Sequence, residues 1–200
     1  MKMRKVAVAL VAVSSTLAMV ACGSSKSGSS SGKGVKIVYV SPNELGVNEF
    51  LKMGKTGADA AAAAAGGTSK TYESKDPTTR QQNVDAAIKD GANIVVLLGF
   101  EFADILPPVA KANPNVKFLI VDQCIDKAPA NVFCALFREY EGTYLAGAEA
   151  ALTSASGKVG AISALDIPFL HRYTDAFEDG AKAAKADIKI SQKLWVGGDN

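Results

Sequence analysis

The sequence predicts an α/β protein whose parallel sheet is covered by helices on both faces. Two short apolar runs, at residues 93–98 and 117–121, are too short to be helices and have no polar face. Such runs are typical of strands buried on both sides in a parallel sheet. The segment between them, 102–110, has apolar residues at helical spacing. A right-handed β-α-β unit brings both strand ends to one edge of the sheet, where open α/β sheets bind ligands. The stretch 93–122 therefore predicts a small-molecule site.

The same alternation of strands and helices extends along the chain. We predict strands at 35–40, 68–73, 131–137, 158–163 and 188–196, and helices at 47–65, 76–90, 141–153 and 168–186. The helix at 76–90 begins with an Asp-Pro pair, in which the acid caps the helix and the proline fits its first turn. Pro107 and Pro108 require the helix near 102–110 either to be capped near Ala103 or Asp104, or to be kinked. The small residues of 141–153 favour tight packing.

The N-terminal segment 1–21 has the features of an export signal. Its basic start is followed by an apolar segment and then by small residues that precede Cys22. This ending resembles a bacterial lipobox, which implies a diacylglycerol (palmitate-type) anchor on Cys22. A plain secretory signal with a chance cysteine is the alternative. Residues 22–34 are rich in Ser and Gly and predict a flexible tether.

The charge balance excludes one class of partner. The chain has 22 basic and 20 acidic residues. Removal of the three basic residues of the leader leaves 19 basic against 20 acidic residues, a net charge of −1. No basic footprint for nucleic acid is present, and we expect none to be bound.

Two cysteines remain after the leader, Cys124 and Cys134. Export would place them in an oxidising compartment, where a disulfide can form. The alternative is that both are small buried apolar residues. No spacing of Cys and His indicates a metal site, and we expect neither a metal nor a cofactor.

The predicted elements also suggest a domain organisation. The units at 35–156 make one complete lobe, whereas 157–200 supplies only a strand, a helix and a strand. So small a fragment does not bury enough surface to be stable alone. We therefore expect 157–200 to begin a second, truncated lobe.

Three sequence blocks resemble one family. They are GFEFADILPPVAKANPNVKFLIVD at 99–122, APANVFCALFREYEGTYLAGAEAAL at 128–152 and GKVGAISALDIPFLHRYTDAFEDGAKA at 157–183. They are similar to the basic-membrane-protein (Bmp) or PnrA-like family, whose members are substrate-binding lipoproteins of ABC importers, best known for purine nucleosides. The resemblance implies a type I periplasmic-binding-protein fold of two lobes, each a parallel sheet flanked by helices.

The resemblance also implies ligand-binding positions. Phe50 occupies the place of a Phe that stacks on the ligand base, with Gly57 in the matching register behind it. Asp122 matches an acid that contacts the sugar or another polar face of the ligand. Phe100 is a further candidate, with a place in the core as its alternative.

Two polar positions of the family differ in this chain. Leu51 stands at the place of an Asn, and Ser41 at that of an early Asp, so groups that read the base are altered. Asn43, Glu44 and Asn48 are the polar residues nearby that could substitute for them.

These observations lead to a function. We expect a monomeric binding protein, lipid-anchored on the extracytoplasmic face of the cell membrane, that captures a nucleoside-like solute for an ABC permease. A surface receptor or sensor on the same fold, or a binder of another solute such as a sugar, is the alternative. An enzyme is disfavoured, because the chain lacks the nucleophile, dinucleotide, metalloprotease and phosphate-loop motifs and has one isolated His, His171.

Overall fold

The computed structural model of the protein describes residues 34–197. The predicted leader, Cys22 and the tether as far as residue 33 lie outside the described residues. Within 34–197, no helix combines the length and the apolar character needed to cross a membrane.

The centre of the fold is a five-stranded sheet in which all the strand pairs are parallel. Its strands are β1 Lys36–Ser41, β2 Thr68–Glu73, β3 Ile94–Leu98, β4 Lys117–Val121 and β5 Val132–Ala135. They lie in the order β2-β1-β3-β4-β5. The predicted fold class is confirmed. Because the chain moves outward from β1 to β2 and then returns past β1 to β3, the strand order reverses between β1 and β3. Open α/β sheets bind ligands at such a reversal.

Three helices connect these strands: α1 Glu49–Ala64, α2 Pro77–Lys89 and α3 Leu106–Ala112. The Asn48 side chain caps α1, and the Asp76 side chain caps α2 by accepting from the Thr79 N–H. A single 3₁₀ turn, Phe100–Phe102, precedes α3. Both prolines of the segment fall in the first turn of α3, as its sequence requires. The N-cap position is Ile105, next to the predicted Asp104, and no side chain caps the helix there.

The two faces of the sheet carry separate apolar cores. One core contains the side chains of α2 and α3 against alternate residues of the inner strands, among them Val38, Val95 and Phe118. The other contains α1 packed against Ile37 and Tyr39. Part of this second face is open as an apolar groove of about 380 Å³ that runs along α1. The alternation of buried residues on both faces explains why these strands have no polar side in the sequence.

Two further helices, α4 Glu139–Thr153 and α5 Pro168–Ala184, pack extensively against each other. Their closest approach is at Gly147 and Gly180. A Cβ on Gly147 would lie 1.9 Å from the Phe177 carbonyl oxygen, and one on Gly180 would lie 1.9 Å from the Tyr144 carbonyl oxygen. The small residues of this segment thus allow the tight packing that the sequence predicts.

The strands predicted at 158–163 and 188–196 are each interrupted. β6 Lys158–Val159 pairs with β8 Lys189–Ile190, and β7 Ile162–Ser163 pairs with β9 Leu194–Trp195. The register changes by one residue between the two pairs, so that two residues, 160–161, lie opposite three, 191–193. This is the residue count of a β-bulge, which breaks the ladder locally.

The predicted division into lobes at residue 157 stays a prediction. In the structure, α4 contacts α5 and β6. α4 therefore packs more against the elements that follow it in the chain than against the five-stranded sheet that precedes it.

Candidate ligand-binding cleft

A cavity of about 230 Å³ lies beyond the carboxyl ends of β1, β3 and β4, where the strand order reverses. The chain reaches it from the loop after β1, the start of α1, the turns after β3 and β4, and the first turns of α5. Its lining residues are Pro42, Asn43, Phe50, Leu51, Leu98, Gly99, Phe100, Glu101, Asp122, Phe169, Leu170 and Tyr173. The site predicted at the end of the unit 93–122 is therefore a concave surface in the structure.

Aromatic rings form the walls of the cavity. Phe100 and Phe169 lie with their ring centroids 5.9 Å apart, and Phe169 meets Tyr173 edge to face at 5.7 Å. Phe50 is 39% exposed, and its ring contacts Phe137 at 6.0 Å. These separations are those of interacting aromatic pairs. A partly exposed ring beside a cluster of rings is suited to stacking on a flat ligand.

Asp122 provides a carboxylate at the end of β4. Its backbone has a φ of +69°, a conformation that Asp and Asn adopt more readily than most residues, and its N–H donates to the Ala135 carbonyl at 2.8 Å. The Oδ1 atom is buried and has no hydrogen-bond partner among residues 34–197. Burial, reinforced by the nearby charge of Glu139 and opposed by Arg172, raises the pKa of Asp122 to about 6. This carboxylate is thus free to accept hydrogen bonds from a ligand.

Glu139 and Arg172 border the same carboxylate. The Nε atom of Arg172 lies 2.6 Å from Oε1 of Glu139, whose side chain is only 5% exposed. The N–H does not meet hydrogen-bond geometry at either carboxylate oxygen, so the contact is an ion pair rather than an aligned hydrogen bond. Burial, together with the charges of Asp122 and Glu139, raises the pKa of Tyr173, so its hydroxyl stays protonated and can donate.

The structure brings most of the predicted site residues together. Phe50, Leu51, Phe100 and Asp122 all line the cavity. Leu51 does so as an apolar residue that is 4% exposed and packed in the core beside Tyr39. Phe100 is half-buried and lines the cavity, and it belongs to none of the apolar core clusters of residues 34–197. Its contact with a ligand stays a prediction.

Ser41 is not brought to the cavity. It is fully buried, and its hydroxyl donates to the Asn43 carbonyl at 2.7 Å. The hydroxyl is therefore engaged by the backbone of the loop after β1.

Other lining residues were not identified from the sequence. Phe169 and Tyr173 lie near the start of the predicted helix 168–186, and their spacing of four residues places them on one side of that helix, as a wall of a cleft requires. Glu101 carries no distinguishing pattern. Asn43 was one of three polar candidates in its loop, and nothing in the sequence separates it from the other two.

Cys124 and Cys134 are bonded as a disulfide, with their Cα atoms 5.3 Å apart. The bridge joins the loop that follows Asp122 to β5. It thus restrains the segment beside the cavity. Within the described residues, no group of His, Cys, Asp and Glu side chains could hold a metal ion.

Comparison with known protein families identifies the family of this chain. Residues 35–197 match the sequence model of the Bmp family, described as ABC transporter substrate-binding protein PnrA-like. The chain belongs to the Bmp family. The family resemblance of the three sequence blocks is confirmed, and the relatives are substrate-binding proteins rather than enzymes.

Two curated relatives illustrate the extent of the similarity. The "ABC transporter nucleoside-binding protein BmpA" of Lactococcus lactis subsp. cremoris is 30% identical over 95% of this chain and 56% of its own length. "Basic membrane protein A1" of Borrelia garinii subsp. bavariensis is 31% identical over 58% of this chain and 37% of its own. The Bmp-family chain thus spans about half the length of BmpA.

Solved structures agree with the fold. A solute-binding protein of an ABC transporter system from Aeropyrum pernix K1 has a TM-score of 0.67 and 27% identity, covering 82% of this chain and 47% of that one. A solute-binding protein from Agrobacterium vitis has a TM-score of 0.62 and 18% identity, over 80% and 58% of the two chains. The second likeness concerns the fold alone. The periplasmic-binding-protein character of the prediction is confirmed.

Proposed function

We propose that this Bmp-family protein is the binding component of an ABC importer and captures a purine nucleoside or a related solute. The observation that carries the proposal is the meeting of Phe50, Phe100 and Asp122 on one cavity. An aromatic face stacks on a flat base, and a carboxylate accepts the two hydroxyl hydrogens of a ribose. A nucleoside offers both features in one molecule.

The similarity to the Lactococcus lactis protein supports this choice of ligand, because its alignment includes 95% of the chain and so spans the whole cleft.

We place the boundary between the two lobes between β5 and α4 rather than at residue 157. The packing of α4 against α5 and β6 supports this placement. The cavity then lies where the sheet of the first lobe meets α5 of the second. Closure of two lobes about a hinge buries a ligand between them, and that burial strengthens its polar contacts.

The experiment that tests the ligand class is calorimetric titration of the full-length natural protein with inosine, adenosine, D-ribose and D-galactose. We expect one or both nucleosides to bind and free ribose to bind far more weakly, because it lacks the base that the aromatic walls receive. Binding of a sugar with no binding of either nucleoside would overturn the assignment and favour the sugar alternative. Size-exclusion chromatography with light scattering tests the expected monomer.

A lipid anchor and an importer permease complete the proposal. The small residues before Cys22 and the basic, apolar leader support anchoring on the extracytoplasmic face of the membrane. Expression of wild type and Cys22→Ser in a bacterial host, followed by membrane fractionation and mass spectrometry, tests this. We expect a diacylglycerol mass on wild type alone and release of the variant from the membrane; identical partition of the two proteins would refute the anchor.

A further inference from the structure

The cleft needs a polar group to read the base. Ser41 and Leu51, which occupy the two polar positions of the family, do not supply one. The hydroxyl of Ser41 is buried and donates to the Asn43 carbonyl, and Leu51 is apolar. Given the proposed function, another side chain of the cleft must perform this role.

Three polar residues of the loop between β1 and α1 are candidates, and their contacts separate them. Glu44 is exposed and pairs with Lys75 at 3.3 Å. Asn48 caps α1, with its Oδ1 accepting the Leu51 N–H at 3.3 Å. Neither lines the cavity, whereas Asn43 does.

Arg80 holds Asn43 in a defined orientation. Arg80 is 4% exposed and projects from α2 to the loop, where its Nε donates to the Pro42 carbonyl at 2.9 Å. Its Nη2 donates to Oδ1 of Asn43 at 3.2 Å. A guanidinium can only donate, so the amide oxygen of Asn43 must be the atom that faces it.

The orientation of the amide determines which of its polar groups is available to a ligand in the cavity. With Oδ1 held by Arg80, the Nδ2 group is left as a pair of donors. Within residues 34–197 this group donates to no protein acceptor. Asn43 is exposed at the open side of the cleft, so the amide is available to a ligand there.

We propose that Asn43 is the residue that reads the base and that it reads it as a hydrogen-bond donor, with Arg80 as its positioning residue. The ligand must then present an acceptor to the loop after β1. With the 6-position of a purine facing this loop, a 6-oxo base, whose carbonyl oxygen accepts, is favoured over a 6-amino base, whose amino group donates. Two donors facing each other would leave both unpaired, which costs affinity.

Asn43→Asp is a nearly isosteric test of this assignment. One carboxylate oxygen can keep the contact with Arg80, while the other replaces the Nδ2 donor with an acceptor. Wild type should bind inosine at least tenfold more tightly than adenosine. The variant should shift the ratio of the two dissociation constants toward adenosine by at least tenfold, because donor and acceptor roles are exchanged.

Asn48→Asp is the matched control. It adds the same charge to the same loop, and Asp is as good a helix cap as Asn. Both nucleosides are neutral, so a general effect of the added charge cancels in the ratio, and we expect Asn48→Asp to leave the ratio within about twofold of wild type.

The measurement is calorimetric titration of the full-length natural protein and both variants at pH 7.5, with melting temperatures recorded to confirm folding. If wild type binds a nucleoside but Asn43→Asp leaves the inosine-to-adenosine ratio unchanged, or if Asn48→Asp changes it equally, the role of Asn43 is refuted and the proposed function stands. If wild type binds neither nucleoside, the proposed function itself is refuted.

Discussion

Gly147 on α4 and Gly180 on α5 each lie against the backbone of the other helix. Gly147 faces Phe177, three residues before Gly180, and Gly180 faces Tyr144, three residues before Gly147. A Cβ on either glycine would lie 1.9 Å from a carbonyl oxygen, of Phe177 or of Tyr144. No side chain fits at such a distance, so the two helices can be this close only because both positions are glycine. The packing matters for the cleft, because α4 begins with Glu139 and α5 carries Arg172, the ion pair beside Asp122.

Gly147→Ala should destabilise the protein by about 2 kcal/mol or more, because the methyl group must push α4 away from α5. Urea denaturation measures the free energy of unfolding. Gly142→Ala is the control on the same helix: a Cβ there meets nothing within 4 Å. We expect this control to be neutral or to stabilise by up to about 1 kcal/mol, as replacement of an exposed helical glycine does. Equal stability of the two variants would contradict the close packing.

Asp122→Asn should stabilise the protein at neutral pH. The pKa of this carboxyl is raised to about 6 in the folded protein, chiefly by burial, and lies near 3.8 when the chain is unfolded. Between these two pH values the folded state holds a proton that the unfolded state lacks, so wild-type stability falls as pH rises from about 4 to 6. The amide has no such titration, and it suits the positive φ of this position.

We expect the difference between Asp122→Asn and wild type to be close to zero below pH 4 and to reach about 1–2 kcal/mol above pH 7. This is less than the full pKa difference implies, since Asp122 is partly open to solvent. Urea denaturation at several pH values measures it. Asp126→Asn, the same charge change at an exposed position of the same loop, should show no such pH-dependent gain. A gain for Asp122→Asn that is already complete at pH 4 would refute the burial effect.

Replacement of Cys124 and Cys134 by Ser should cost about 3 kcal/mol. The bridge closes a loop of ten residues, and its loss lets the unfolded chain gain the corresponding entropy. The comparison is the urea midpoint of wild type and the double variant, each with and without a thiol reductant. Reductant should lower the wild-type midpoint to that of the variant and leave the variant unchanged. If reductant makes the sulfurs accessible to alkylation but leaves the wild-type urea midpoint unchanged, the bridge does not stabilise the protein as predicted.

Local signals predicted most of the first sheet. β4 has the bounds that its apolar run predicts, and Pro107 and Pro108 fall in the first turn of α3, where proline does not disrupt the helix. The cleft at the ends of β3 and β4 followed from their parallel β-α-β connection, because open α/β sheets bind ligands at the carboxyl ends of their strands.

The features that sequence could not predict depend on contacts between distant residues. The interruption of the strands after residue 157 arises from a one-residue change in register between segments about thirty residues apart. The orientation of Asn43 depends on Arg80, 37 residues away, and the ion pair at the cleft joins Glu139 to Arg172. No local pattern encodes these pairs.

We propose that the cleft beside Phe50 and Asp122 binds its ligand through a stacked base. Calorimetric titration of the full-length natural protein with inosine, comparing Phe50→Leu with Phe133→Leu, tests this stack. Phe133 is an exposed ring outside the cavity lining, so its replacement is a matched control. We predict that Phe50→Leu weakens binding about tenfold, the size expected from the loss of one aromatic stack, and that Phe133→Leu leaves it unchanged; wild-type affinity in Phe50→Leu would contradict the account.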